Sequence, residues 1–395
     1  MTTRFRTGIE VLTHELKPLL VGRRVGLVTH LAALTSDGIW SAEQLRNCSD
    51  VDLRCLLGPE HGAFGHAGAG EPVPTTTHPT WDIPVFSLFG DQRKPTSEML
   101  NDVDVIVVDL QDLGVRCYTF VSTLQLVMKA ASEQNKTLVV ADRPIPYPRT
   151  VDGPMLDPEL RSFVAHVSVP FVYGMTQGEI ALLLQAESTD SLELHIAEMS
   201  GYQRTPYRQP DWPPWVPPST AIRSWETAWC YPATVFCEAL PSLDCGRDGP
   251  LPFQTLGARW MDGRKVAEFF FDHPLPGVRI HPHPRYVPAG NGRWELVEGV
   301  RFVVTDPSTF QPVTTGLSVL EQLQRHYGVE ILWEQEGTRP HFFDQLFGTD
   351  SVRLHLLENI SVRELAAQWH MDSELFLEKR SGCLVYSSHS NARAE

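Results

Sequence analysis

The stretch "LLGPEHGAFGHAGAGE" (56–71) sets Glu60 and His61 side by side after a short apolar run. Around them lie five glycines, a second histidine and Glu71. Carboxylates, imidazoles and permissive backbone in one loop suit three chemistries: a phosphate cradle, a metal site, or the mouth of a catalytic cleft. The spacing in "GAFGHAGAG" is not G-x-G-x-x-G, and no Gly-Lys-Ser/Thr follows, which argues against a nucleotide cradle. The histidine pair in "HPHPRY" (281–286) alternates with prolines and reads as an extended arm rather than a metal site. Downstream, "DLQDLGVRCYTF" (109–120) supplies Asp109, Asp112, Arg116 and Tyr118, and a further apolar run ends in Asp142-Arg143-Pro144. Asp112 and Arg116 have a second reading, as a salt bridge that orders the loop. Thr176 and Glu179 of "YGMTQGE" likewise fit either a site or a helix capping box ahead of "IALLLQAE".

Those residues need elements to position them. "RVGLVTH" (24–30), "DLRCLLG" (52–58), "IPVFSLFG" (83–90), "DVIVVDL" (104–110) and "KTLVVAD" (136–142) are near-continuous apolar runs. Such runs suit strands buried on both faces of a parallel sheet. Between the last two, Leu124, Val127, Met128 and Ala131 recur at helical spacing, with Ser122 or Thr123 as the expected N-cap. Repeated βα units predict a doubly wound, mostly parallel α/β layer. In such sheets ligands gather at the carboxyl ends of the strands. Three successive strand ends here deliver acids and arginines to one edge, which favours a site over three unrelated turns.

The expected division is a catalytic domain over 1–204, a proline- and tryptophan-rich connector over 205–225, and a smaller α/β or α+β domain over 226–395. The connector contains "TPYRQPDWPPWVPPST", which cannot hold regular helix. The last segment offers helices at "DGRKVAEFFFD" and "GLSVLEQLQRHYG", and strands at "GVRIHPHPRY" and "GVRFVVTD".

Bulk properties set further limits. With 33 basic and 48 acidic side chains among 395 residues, the net charge of −15 repels polyanions, so no nucleic-acid partner is expected. The seven cysteines include no Cys-x-x-Cys pair and read as reduced thiols. The N-terminal residues have no signal-like apolar core and no run approaches a membrane span, so a cytoplasmic protein without a membrane partner is expected.

Taken in order, "LLGPEHGAFG", "IPVFSLFGDQRKPTSEML", "DVDVIVVDLQDLGVRCYTFVSTL", "VVADRPIP", "YGMTQGE", "DWPPWVPPS", "YPATVFCEAL" and "TGLSVLEQL" resemble the exo-β-N-acetylmuramidase family across essentially the whole chain. The resemblance implies a Rossmann-like domain plus a smaller C-terminal domain that closes a cleft. It also implies removal of terminal N-acetylmuramic acid from peptidoglycan fragments, in cell-wall recycling.

Cleaving that bond calls for a carboxylic acid to protonate the leaving oxygen, and for a second carboxylate or the substrate's own acetamido group. On this resemblance Glu60 is the expected acid with His61 beside it, and Asp109 and Asp112 are candidates for the second carboxylate. Arg116 and Arg143 would meet the lactyl anion, and Tyr118 would contact the sugar. Glu71, Asp142, Thr176, Glu179, Glu238 and Arg247 complete the expected binding set. Neither a metal nor an organic cofactor is required, and the partner is a muropeptide-type oligosaccharide.

Three segments depart from the family's usual pattern. "THLAAL" (29–34) stands where Thr-Asn-x-Thr-Gly is usual, Tyr173 replaces a histidine, and "EALPSLDCGRDG" (238–249) replaces Glu-Gly-Thr-Asn-x-Ser-Glu-Gly-Arg-Gly. Two alternatives therefore stand beside the hydrolase: a non-catalytic muropeptide binder, and a family member turned to another small-molecule glycoside.

Overall fold

The computed structural model describes residues 4–386. Its main sheet has seven strands: β1 (Arg24–Thr29), β2 (Asp52–Gly58), β3 (Thr76–Thr77), β4 (Pro84–Ser87), β5 (Val105–Asp109), β6 (Thr137–Ala141) and β7 (Leu194–Ala197). Their order is β3-β4-β2-β1-β5-β6-β7, and every neighbouring pair is parallel except β3 with β4. The central runs "VIVVD" and "TLVVA" are buried along their whole length. Each Val or Ile placed there contributes about 1.5–3 kcal/mol relative to exposure, which is why those runs are apolar without alternation.

The chain leaves β1 towards β2 and β4, then returns to β5 on the other side of β1. This reversal opens a crevice at the carboxyl ends of β1, β2 and β5. Glu60 follows β2, and the loop 110–119 follows β5. Gly58 is required at the turn out of β2, because a Cβ there would lie 2.3 Å from the Ala63 nitrogen.

The helix after β5 runs Phe120–Glu133, with Leu124, Val127, Met128 and Ala131 buried as their spacing predicts. Its N-cap is Thr119, not Ser122 or Thr123. The helix starts a turn earlier because Phe120 and Val121 are themselves buried. Ser122 donates instead to the Phe163 carbonyl at 2.7 Å, and Thr123 to the Thr119 carbonyl at 3.2 Å.

The smaller C-terminal part is built on an antiparallel sheet of β8 (Thr255–Gly257), β9 (Val278–Pro282) and β12 (Gly299–Val304), with β12 in the middle. A hairpin of β10 (Arg285–Gly290) and β11 (Arg293–Val297) projects from it. The run expected as one strand over "GVRIHPHPRY" is two, broken at His283 and Pro284 because proline cannot donate to the ladder.

Helices Trp225–Thr234 and Pro312–Tyr327 cross at Gly316, where a Cβ would lie 1.9 Å from the Ala233 carbonyl oxygen. One hydrophobic cluster runs from Val108 and Phe171 through Phe310 to Phe347, so the two parts share a core. The tryptophan-rich segment packs on the body: Trp212 lies against Phe5, Tyr202 and Trp225. No helix among the described residues is long and apolar enough to cross a membrane.

Candidate active site

The crevice above the strand ends becomes a cleft of about 610 Å³, lined from both parts of the chain by Glu60, Thr119, Glu238, Arg247, Arg93 and Arg339. Glu60 is only 8% exposed. One of its oxygens accepts from the Thr119 hydroxyl at 2.7 Å and the other from the Gly70 N–H at 2.9 Å. The glycine-rich loop therefore folds back to fix this carboxylate with its own backbone. His61 adopts a left-handed backbone (φ 71°) and pairs through Nδ1 with the Ala67 carbonyl at 3.0 Å. It orders the loop that carries Glu60. Glu71 is exposed and accepts from the Gly68 N–H at 2.7 Å, which places it in the same loop rather than on the cleft wall.

Glu238 enters from the end of the short 3₁₀ turn Val235–Glu238, and Arg247 donates to it at 2.8 Å. Burial raises the Glu238 pKa, Arg247 opposes the shift, and the nearby charge of Glu60 adds to it. Two carboxylates thus face one cleft, and the charge of one bears on the other. Three arginines surround them. Arg93 lies over the Phe163 ring at 4.5 Å and the Phe89 ring at 5.7 Å. Arg339 lies over Phe342 at 4.4 Å and donates to the backbone carbonyl of Glu238. Rings of this kind hold a guanidinium without neutralising it. In a chain of net charge −15, three arginines against two carboxylates make this cleft locally cationic.

The other acids and arginines expected at this edge are placed behind the cleft and bind each other or the backbone. Asp109 and Arg143 form a fully buried, two-pronged ion pair, with Nη2 to Oδ2 at 2.9 Å, and Arg143 also donates to the Leu34 carbonyl at 2.7 Å. Asp112 is buried and accepts from the Tyr173 hydroxyl at 2.6 Å; burial pushes its pKa up to about 6.

Arg116 makes no salt bridge to Asp112. It donates to the carbonyls of Pro154 at 2.9 Å, Val169 at 2.6 Å and Phe347, clamping three segments together, and burial lowers its pKa to about 10. Asp142 accepts from Thr176 at 2.6 Å, Gly178 at 2.9 Å and Tyr386 at 2.8 Å. Thr176 and Glu179 form the capping box, and Glu179 is ion-paired with buried Arg204. Tyr118 is buried against Phe120 and Tyr231. Of the residues read from sequence, Glu60, Glu238 and Arg247 therefore meet in the cleft. Thr119, Arg93 and Arg339 join them without having been singled out.

Models of the exo-β-N-acetylmuramidase NamZ family match this chain over two consecutive segments, the N-terminal one at residues 25–226 and the C-terminal one at 229–386. The chain belongs to this family. It is similar to the peptidoglycan β-N-acetylmuramidase NamZ of Bacillus subtilis, with 32% identity over 97% of this chain and 92% of that protein. Two crystal structures of DUF1343 family proteins from Bacteroides fragilis share the fold. One has a TM-score of 0.89 at 30% identity, covering 97% of this chain and 99% of the other. The second has a TM-score of 0.74 at 25% identity, covering 98% and 99%.

Membership makes the chain a glycosidase, and it puts the departures from the family pattern in context. Tyr173 lies behind the cleft on Asp112. His30 of "THLAAL" is buried against Phe120, and its Nε2 accepts from the Gln111 N–H at 2.9 Å. The altered segment 238–249 alone reaches the cleft, through Glu238 and Arg247.

Proposed function

We propose that this chain removes a terminal N-acetylmuramic acid from peptidoglycan-derived glycans by acid–base hydrolysis, with Glu60 as acid and Glu238 as base. The observation that carries the reading is the pair of buried carboxylates, Glu60 and Glu238, lining one arginine-rimmed cleft. Glu60, oriented by Thr119 and Gly70, gives its proton to the leaving glycosidic oxygen. The charge it acquires then raises the proton affinity of Glu238, which draws a proton from the attacking water or assists the substrate's acetamido group. A base whose pKa is raised by burial is better matched to this task near neutral pH than an ordinary carboxylate. The lactyl carboxylate is the anion that Arg93 and Arg339 await, and each guanidinium lies over an aromatic ring that lines the same cleft.

A binder without turnover would need the arginines but not two coupled carboxylates. The test is hydrolysis of paired 4-nitrophenyl glycosides. Release from the N-acetyl-β-muramide but not from the N-acetyl-β-glucosaminide is expected. Binding of muropeptide with no release from any amino-sugar glycoside overturns the reading.

A further inference from the structure

A second concavity of about 870 Å³ lies on the C-terminal part, beside the cleft but separate from it. Its outer wall is the hairpin of β10 and β11. Tyr286 pairs directly with Leu296, and Trp294 lies two residues before Leu296 on the same strand, so the three side chains share a face. They are 65%, 59% and 56% exposed respectively for Tyr286, Leu296 and Trp294. This is not a loose hairpin. Val287 and Val297 on its other face are buried, and Arg285 donates to the Thr255 hydroxyl at 2.6 Å and the Asp244 carbonyl at 2.9 Å. A rigidly anchored face presenting a Trp and a Tyr to solvent is an unusual use of apolar surface.

The concavity and the cleft share a wall. The turn Gly246–Gly249 closes through a 2.9 Å backbone hydrogen bond, and Arg223 braces it by donating to the Gly249 carbonyl at 2.8 Å. Arg247 of this turn lines the cleft and holds Glu238, while Asp248 and Gly249 line the concavity. Aromatic faces bordered by Asp248, His283 and Arg223 match the chemistry of a pyranose chain. The rings meet the sugar's C–H face, and the polar groups meet its hydroxyls and acetamides.

We propose that this concavity is a subsite for the leaving portion of the glycan, in which β-linked N-acetylhexosamine residues beyond the scissile bond stack on Trp294 and Tyr286. The inference rests on the hydrolase reading above and extends it from one sugar to a chain.

Two measurements on the full chain test it. In the first, kcat/KM is measured for a disaccharide and for a hexasaccharide ending in N-acetylmuramic acid. Wild type is expected to prefer the hexasaccharide, and Trp294→Ala to reduce that preference roughly tenfold through KM, the size of loss expected for an aromatic anchor. Equal preference in wild type and Trp294→Ala overturns the subsite. In the second, Glu60→Gln is titrated calorimetrically with an N-acetylglucosamine oligomer carrying no muramic acid. Binding lost in Glu60→Gln/Trp294→Ala supports the subsite independently of turnover. Absence of binding, binding of stem peptide instead, or a dimer in sedimentation that Trp294→Ala dissolves overturns it. Failure of wild type to cleave either glycan counts against the hydrolase reading alone, since the titration does not depend on cleavage.

Discussion

Glu60 and Glu238, brought from opposite parts of the chain, face the same cleft, and the charge on Glu60 helps to hold the Glu238 pKa above its usual value. The relationship has a direct consequence. Glu60→Gln can never take up the charge that Glu60 acquires on giving up its proton, so the part of the Glu238 titration that overlaps ionised Glu60 is expected to disappear and its apparent pKa to fall. The carboxyl chemical shift of Glu238, followed against pH in both proteins by carbon NMR, measures this. An unchanged titration contradicts the coupling.

Arg247 acts in the opposite sense, because its cation favours the charged form of Glu238. With Arg247→Met the Glu238 pKa rises further. If ionised Glu238 is the base, the acid limb of the kcat/KM profile then moves to higher pH, and activity below that limb falls. A limb that stays in place or moves to lower pH separates Glu238 from the base role.

Arg93 is held only by the rings of Phe89 and Phe163 among the described residues, which leaves its donors for substrate. Arg93→Ala is expected to raise KM for N-acetylmuramides about tenfold or more, with a much smaller change in kcat, because it removes one charge-assisted contact worth roughly 1.5–3 kcal/mol. Equal losses in kcat and in kcat/KM place Arg93 in the chemical step instead.

Asp109 gives a contrasting prediction. Among the described residues its carboxylate pairs with Arg143, so Asp109→Asn strands a buried guanidinium and is expected to cost about 3–5 kcal/mol of stability. Denaturant unfolding measures the loss. Asp112 behaves differently, since its folded-state pKa of about 6 lies above the ordinary value of 3.8. The folded state binds this proton more tightly, so Asp112 makes stability fall as pH rises from about 4 to about 6. Asp112→Asn is expected to flatten that part of the stability–pH curve. A full loss of activity from Asp112→Asn in a folded protein is the opposite outcome.

The contrast between these residues explains what was legible in the sequence. Buried parallel strands announce themselves as unbroken apolar runs, so β2 is read to the residue and β5 and β6 to within one. The same strand ends do carry acids and arginines, but β5 and β6 are neighbours, and Val108 opposite Val140 brings Asp109 within reach of Arg143. Charges crowded onto one buried edge neutralise each other first, and periodicity does not reveal which pairs form. Glu60 escapes because β2 lies on the other side of β1 and its loop turns back through Gly70. Arg93 and Arg339 sit in irregular segments with no period to mark them. Arg339 reaches the cleft because helix Pro340–Phe347, which it precedes, docks on the first part of the chain through Arg116.

The acid role of Glu60 is the centre of the account, and leaving-group dependence tests it most directly. A general acid matters for a sugar leaving group and hardly at all for an activated phenol. The measurement is kcat/KM of wild type and Glu60→Gln on the N-acetylmuramic acid–N-acetylglucosamine disaccharide and on the 2,4-dinitrophenyl N-acetyl-β-muramide. Glu60→Gln is expected to lose about 10²–10⁴-fold on the disaccharide and to retain most of its activity on the dinitrophenyl glycoside. Equal losses on both substrates, or no loss on the disaccharide, contradict the assignment.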